Sequence, residues 1–196
     1  REHGGYGRGQ KFIQAEASSF LLARYEPTQD AVYLDQVCLT LDRMRQGPIH
    51  DLKDGGYFRT TTGADWSQPH REKLLIEQAG LLANCLAALR LTGRAEYGAM
   101  ARDIIDYLDR KLFDPVSGAY FGCEDFLRRE RAEDPGTGEF FTIFDKCVYT
   151  DANAIMIAAY LEAATMLDRP AFKDRALGVL EFLWSRCRSA DAGMFH

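Results

Sequence analysis

Two short stretches hold residue types that can do chemistry together. The first gathers Arg59, Trp66, His70, Glu72, Lys73, Glu77 and Gln78 around the start of a strongly apolar helical run. If that helix begins near Pro69, His70, Lys73 and Glu77 fall at i, i+3 and i+7 on one face. A histidine beside a carboxylate, here His70 with Glu72, can serve as general base or acid near neutral pH. Lys73 can stabilise an oxyanion or an enediolate. Tyr57 and Trp66 can stack on a sugar ring, Gln78 can contact its hydroxyls, and Arg59 can bind a carboxylate or other anion. Together they suit proton abstraction beside a carbonyl. Plainer readings fit the same residues. Lys73 and Glu77 at i, i+4 make an ordinary surface ion pair worth about 0.2–0.5 kcal/mol. Glu72 can simply favour a helix N-terminal dipole, His70 can cap the turn, and Arg59 can bridge helix C-termini.

The second stretch is Thr150, Asp151 and Asn153. Thr150 or Asp151 is a good N-cap on chemical grounds. The functional reading makes Asp151 a carboxylate across a cavity and Asn153 a substrate contact. Glycoside hydrolysis needs paired carboxylates, and Glu72, Glu77, Asp125 and Asp151 are the candidates. No metal is expected: the 4 histidines include no i, i+4 helical pair, and there is no C-x-x-C. Gly4-Gly5-Tyr6-Gly7-Arg8-Gly9 is glycine-rich, but no strand precedes it and no Lys-Ser/Thr follows, so a phosphate loop is not expected. No cofactor is called for.

The elements that must position these groups are helical. Apolar residues recur at helical spacing over Gln14–Tyr25, Gln29–Arg45, Pro69–Thr92, Ala95–Lys111, Asp151–Leu167 and Ala171–Cys187. Pro27, Gly47-Pro48, Gly93 and Asp114-Pro115 punctuate them. Ala154 to Ala159 is apolar on nearly every side and should be buried between neighbours. No strand run is convincing, which predicts an all-α chain. The stretch of about 124–139 is charged and turn-rich and predicts a solvated loop or hairpin tip, with a lid over a cleft as the alternative.

The 196 residues are 46% hydrophobic and 27% charged, enough for one domain with a sizeable core. A net charge of −5 argues against a nucleic-acid groove built on positive charge. No apolar run reaches the roughly 18–20 residues of a membrane helix. The first residues carry no signal-peptide core and no initiator Met, which predicts a fragment or processed product. The 5 cysteines are widely spaced and read as free thiols in a reducing, cytoplasmic setting.

Small-residue turns before aromatic or apolar residues recur between the helices. They are Asp54-Gly55-Gly56-Tyr57-Phe58, Ser117-Gly118-Ala119-Tyr120-Phe121 and Asp191-Ala192-Gly193-Met194-Phe195, with a weaker copy at His3-Gly4-Gly5-Tyr6-Gly7. The period is one helical hairpin plus one turn. Such a unit must stack on its neighbours to bury its faces.

Hairpins repeated around Gly-Gly-aromatic turns resemble the six-hairpin, glycosidase-like (α/α)6 toroid of many sugar-active enzymes. A narrower resemblance is to the thioredoxin-domain-containing, spermatogenesis-associated (YyaL-like) family. Its residues are Gly55-Gly56-Tyr57-Phe58-Arg59, then Asp65-Trp66, Pro69-His70, Glu72-Lys73-Leu74-Leu75 and Gln78-Ala79. The family pattern there is a GGFxRY turn, a Trp and PHFEKMLYDQA. Gly4-Gly5-Tyr6-Gly7 with Lys11-Phe12 resembles its GGFGxxPKF, and Asp145-Lys146, Thr150, Asn153 and Met156-Ile157-Ala158-Ala159 resemble its DDKxLTxWNGLMIAA. Arg71, Ile76-Glu77, Ala152 and Ala154 depart from those patterns. The family's thioredoxin-like domain and cysteine motif have no counterpart in this sequence.

The resemblance implies about half a toroid, three hairpins of six, with polar residues gathered at one mouth near the starts of inner helices. It implies a sugar-like ligand and epimerase-, isomerase- or hydrolase-like chemistry. The alternative is a non-catalytic helical binding or assembly module with a degenerate site. A lone half-ring would expose apolar helix faces, which predicts a homo-oligomer or a complementing chain.

Overall fold

The computed structural model describes residues 2–131 and 134–195. Six helices carry the fold: α1 (Ala15–Thr28), α2 (Ala31–Gln46), α3 (Leu75–Thr92), α4 (Ala95–Tyr107), α5 (Thr150–Met166) and α6 (Pro170–Arg186). Local chemistry sets their ends. The Asp30 carboxylate accepts from the Val32 N–H at 3.1 Å and caps α2. Gly93, at φ 68°, closes α3 in the left-handed region and donates to the Leu89 carbonyl. Pro170 opens α6 at its first turn, where its missing N–H has no partner to lose. After Tyr107 the chain widens into one π-type turn at Leu108–Leu112.

Each odd-numbered helix packs on the even-numbered helix that follows it, giving three hairpins. The odd helices also pack side by side, α1 on α3 and α3 on α5, so they form an inner row and the even helices an outer one. α3, the middle of that row, and its neighbour α5 bury Leu75, Ala79, Leu82, Leu86, Met156, Ala159 and Tyr160, as their apolar runs require.

Short strands tie the hairpin ends together. β1 (Lys11–Phe12), β2 (Thr60–Thr61) and β3 (Pro69–His70) make one antiparallel sheet. β4 (Lys73–Leu74) pairs with β5 (Cys123–Arg131), which pairs with β6 (Asp134–Asp145). β7 (Arg188–Ser189) and β8 (Gly193–Met194) close the last turn. Two expectations change here. The charged stretch 124–139 is a two-stranded ladder where it is described, not an irregular loop; residues 132 and 133 lie outside the described residues. The third helix starts at Leu75, not near Pro69. A proline suits a first helical turn and a strand edge equally, and backbone pairing of Pro69 and His70 with Thr61 and Thr60 decides for the strand. His70, Lys73 and Glu77 therefore do not share a helix face.

The recurring turns are built alike. Asp51 accepts from the N–H groups of Lys53 and Asp54 through its side chain, and Asp114 does the same for Val116 and Ser117. In the last copy Ser189 takes that place, accepting from Asp191 and Ala192. Four residues on, Gly55 and Gly118 sit at φ 78° and 76°, a conformation that favours glycine. Each turn is then pinned to the next inner helix by a side-chain amide. Gln78 accepts from the Tyr57 N–H at 3.0 Å and donates to the Tyr57 carbonyl at 2.6 Å. Asn153 does the same to Tyr120, at 3.0 Å for both bonds. Gln78 and Asn153 are each the fourth residue of their helix. The fourth residue of α1 is Ser18, which reaches only the Tyr6 hydroxyl, at 3.0 Å.

Replacing Gln78 or Asn153 by Leu strands a buried backbone donor and acceptor. Each substitution is expected to destabilise the chain by about 1–3 kcal/mol, whereas Ser18→Ala should cost about 1 kcal/mol or less. Urea denaturation of the three variants checks the order.

Candidate functional site

The N-terminal ends of α1, α3 and α5 lie at the same edge of the inner row, and two cavities open there on either side of Ile76. One, of about 320 Å³, lies between α3 and α5 and is lined by Glu72, Ile76, Gly122, Asp145, Tyr149 and Asp151 among others. The other, of about 310 Å³, lies between α1 and α3 and is lined by Phe12, Gln14, Ala15, Glu16, Ile76 and Glu77. Asp151 and Glu16 are the second residues of their helices, so the helical repeat itself aims carboxylates at this edge.

Glu72 is held here by Arg59, whose Nη1 lies 2.8 Å from Oε2. The Arg59 N–H also donates to the Glu72 carbonyl at 2.7 Å, so backbone and side chain fix the pair together. Across the first cavity, Tyr149 is exposed and donates through its hydroxyl to Asp145 at 2.8 Å. Gly122 allows this, since a Cβ there would stand 2.5 Å from the Tyr149 ring. The backbone N–H of Cys147 and the Tyr149 hydroxyl hold the Asp145 carboxyl below the usual range. Asp151 is exposed at the rim.

Glu77 has the most perturbed carboxyl of the edge. Burial pushes it up to about 7; the Arg59 charge opposes this, and the charges of Glu72 and Glu16 add to it. Its Oε2 is buried without a hydrogen-bond partner, as is Nε of Arg59.

Several expected site residues serve the fold instead. Trp66 is fully buried, its indole N–H donates to the His3 carbonyl at 2.8 Å, its ring lies against Gly5 and its Cβ against Gly47. Tyr57 is fully buried and stacks on His50 with ring centroids 4.7 Å apart. Neither ring faces a cavity where a sugar could stack. Gln78 and Asn153 have their amides committed to the turn backbones. Lys73 is fully buried: its ammonium donates to Asp51 at 2.7 Å and to the Gly55 carbonyl at 2.8 Å, and lies 3.8 Å from Glu124. The ring faces of Tyr107 and Phe58, at 4.4 and 5.1 Å, complete its surroundings. Burial alone would raise the Asp51 carboxyl, but the hydrogen bond and charge of Lys73 hold it below the usual range. His70 is exposed on β3 and belongs to neither cavity wall. Thr150 donates its hydroxyl to the Phe195 carbonyl, so it joins the last turn and makes no N-cap bond; Asp151 accepts from the adjacent Ala152 N–H. Of the expected set, the structure brings Arg59, Glu72, Glu77 and Asp151 to one edge.

Tyr149 and Glu16 were not singled out from the sequence, and Asp145 was named only for the family resemblance. Their signal is positional: each lies within a few residues of an inner-helix start. Among the described residues no group of three His, Cys, Asp or Glu side chains is placed to hold a metal, and no helix is long and apolar enough to cross a membrane.

The chain matches no protein-family model. It is homologous to spermatogenesis-associated protein 20: 33% identical to that of Homo sapiens over 145 residues, covering 71% of this chain and 18% of the relative. With the Mus musculus protein the identity is 32% over the same coverage. The chain thus spans less than a fifth of the length of these relatives. Among solved structures it superposes on a sugar epimerase from a ruminal bacterium with a TM-score of 0.76 at 16% identity, covering 97% of this chain and 50% of that one. For cellobiose 2-epimerase from Bacillus thermoamylovorans the TM-score is 0.75 at 14% identity, covering 97% and 51%. For a family 76 glycoside hydrolase from Bacteroides thetaiotaomicron it is 0.71 at 15% identity, covering 91% and 36%. The fold is that of six-hairpin (α/α)6 toroid proteins, and the three hairpins make about half a ring.

A carboxyl whose folded pKa stands above its unfolded value, here about 7 against about 4.3, stabilises the fold fully at low pH. That contribution is lost as pH rises through 7. Glu77→Gln, which cannot ionise, should therefore gain stability relative to the natural chain between about pH 4.5 and 7. Melting curves of both proteins across that range test the sign.

Proposed function

We propose that the edge formed by the starts of α1, α3 and α5 binds a sugar-like small molecule and that the chain is part of a carbohydrate-active toroid. The observation that carries this reading is the pair of cavities flanking Ile76, walled by carboxylates at the N-terminal ends of the inner helices. Glu72 and Asp151 are the proposed acid–base carboxylates. Arg59 orients Glu72, and Tyr149 offers an exposed aromatic face to a sugar ring, the role first considered for Trp66 and Tyr57. Carboxylates suit hydroxyl recognition and proton transfer at an anomeric or carbonyl-adjacent carbon. The structural likeness to sugar epimerases and glycoside hydrolases supports the class of ligand, epimerised, isomerised or hydrolysed. Five unbridged cysteines support a reducing, cytoplasmic setting.

A panel of unphosphorylated mono- and disaccharides, screened by calorimetry against the whole chain, tests this. At least one sugar is expected to bind, and Tyr149→Ala or Asp151→Asn should weaken it tenfold or more. Silence across the panel rejects the reading.

A second reading, a helical assembly module, is favoured by the surface of the last hairpin. Leu177, Leu180 and Trp184 lie at i, i+3 and i+7 on α6 and are exposed, as are Ile155 and Leu161 on α5. Exposed apolar residues at helical spacing are the kind of feature that marks an interaction surface. In this reading a second copy of the chain covers it. Light scattering should then find a dimer that Leu180→Glu with Trp184→Glu dissociates; a monomer at high concentration removes the homo-oligomer.

A further inference from the structure

We propose that Glu77 is the catalytic acid of this edge, a protonated carboxyl that lines the cavity between α1 and α3 and donates to an acetal oxygen of the sugar. The inference rests on the sugar reading above and moves the proton donor from Glu72 or Asp151 to Glu77.

The geometry sets Glu77 apart from the other carboxyls. It sits in the first turn of α3 and forms part of the wall of the cavity of about 310 Å³. Three charged groups face it: Arg59 from the segment before β2, Glu72 from the segment before β4, and Glu16 from the first turn of α1. Among the described residues Arg59 is the cation acting on it, and its Nη1 is committed to Glu72 at 2.8 Å. Glu77 therefore has two carboxylates nearby and no ion-pair partner of its own, and its Oε2 is buried without any hydrogen bond. A half-buried carboxyl in such company holds its proton to higher pH than an exposed one, consistent with the rise to about 7. A second carboxyl, Glu72, is ion-paired a short distance away. Two carboxyls in contrasting environments can divide acid and base roles.

The step needs no co-reactant beyond water. Glu77 gives its proton to the acetal oxygen as the carbon–oxygen bond breaks, and the bonding pair stays on that oxygen, which becomes a hydroxyl. In hydrolysis a water oxygen bonds to the carbon and its proton returns to the Glu77 carboxylate. In ring opening the anomeric hydroxyl becomes the carbonyl, and its proton passes to Glu16, which lines the same cavity, from which solvent returns it to Glu77.

The test uses the whole chain with 13C-labelled glutamate and the sugar found by the panel. The Glu77 carboxyl resonance, identified by its absence in Glu77→Gln, is expected to titrate near pH 7. Turnover in Glu77→Gln should fall at least a hundredfold, with sugar affinity changed less than about threefold. A water-soluble carbodiimide at pH 7, which reacts with protonated carboxyls, should label Glu77 of the natural chain, and the sugar should block the labelling. This arm needs no variant to fold. Titration near 4.3, the ordinary glutamate value, overturns the proposal even if sugars are turned over. Full turnover in Glu77→Gln also overturns it, as does labelling that bypasses Glu77. If no sugar binds, the sugar reading and the catalytic role fail together, and a midpoint near 7 then marks Glu77 as a buried acid of the fold.

Discussion

The structure depends on a small hydrogen-bonding constraint: a side-chain amide at the fourth position of an inner helix must satisfy both backbone groups of the aromatic residue in the preceding turn. Only an amide presents a donor and an acceptor side by side at that reach. Gln78 and Asn153 do so for Tyr57 and Tyr120, extending the turn as a strand neighbour would. Because both partners are buried, breaking either bond leaves a polar group unpaired. The constraint fixes the height of each inner helix relative to its turn, and so sets the N-terminal ends of α3 and α5 level at one edge. Ser18 offers only a hydroxyl and holds the first copy through the Tyr6 hydroxyl, while Asn84 donates to the Ala15 carbonyl and accepts from Ser19, anchoring α1 from the side of α3.

The Lys73 cluster is the second fixed point. A buried ammonium is tolerated only when charge and hydrogen bonds surround it. Asp51, the Gly55 carbonyl and Glu124 supply these, and Tyr107 adds a hydrogen bond to Glu124 at 3.1 Å. One side chain thereby joins a turn, the strand leading into α3, and the long β5–β6 ladder. Lys111 reinforces the same group from the π-type turn, 3.0 Å from Asp54. Truncating Lys73 would leave Asp51 without its counter-charge and Glu124 with Lys111 alone, 3.9 Å away, so the cluster serves registry rather than the chemistry its composition suggests.

Helical periodicity made the six helices legible, and glycine spacing made the repeat legible, because both are written in local residue order. The strands were not legible. Most are two residues long, and β5 and β6 carry charges that mask alternation. Pro69 carried a signal that fits a helix start and a strand edge alike, and only the distant partner Thr61 settles it. The site was half legible for a related reason. Residue type reports what a side chain can do, whereas burial decides whether a ligand meets it. Trp66, Lys73, Gln78 and Asn153 look chemical and are spent on packing. Tyr149 and Glu16 look ordinary and lie at the cavities because of where a helix begins.

The proposed acid and the open apolar face bear on each other. The edge is walled on one side only, by three hairpins of a fold whose solved examples run to about twice this length. Water therefore reaches Asp151 and Tyr149 freely, and charge there is screened. Covering Leu180 and Trp184 with further hairpins, from a second copy or another chain, would close the ring around the same edge. Closure would exclude water, raise the penalty for ionising Glu77 and strengthen every hydrogen bond offered to a sugar. Assembly would then bear on the proposed chemistry by degree: the half-ring supplies the groups, and closure would lower the dielectric around them.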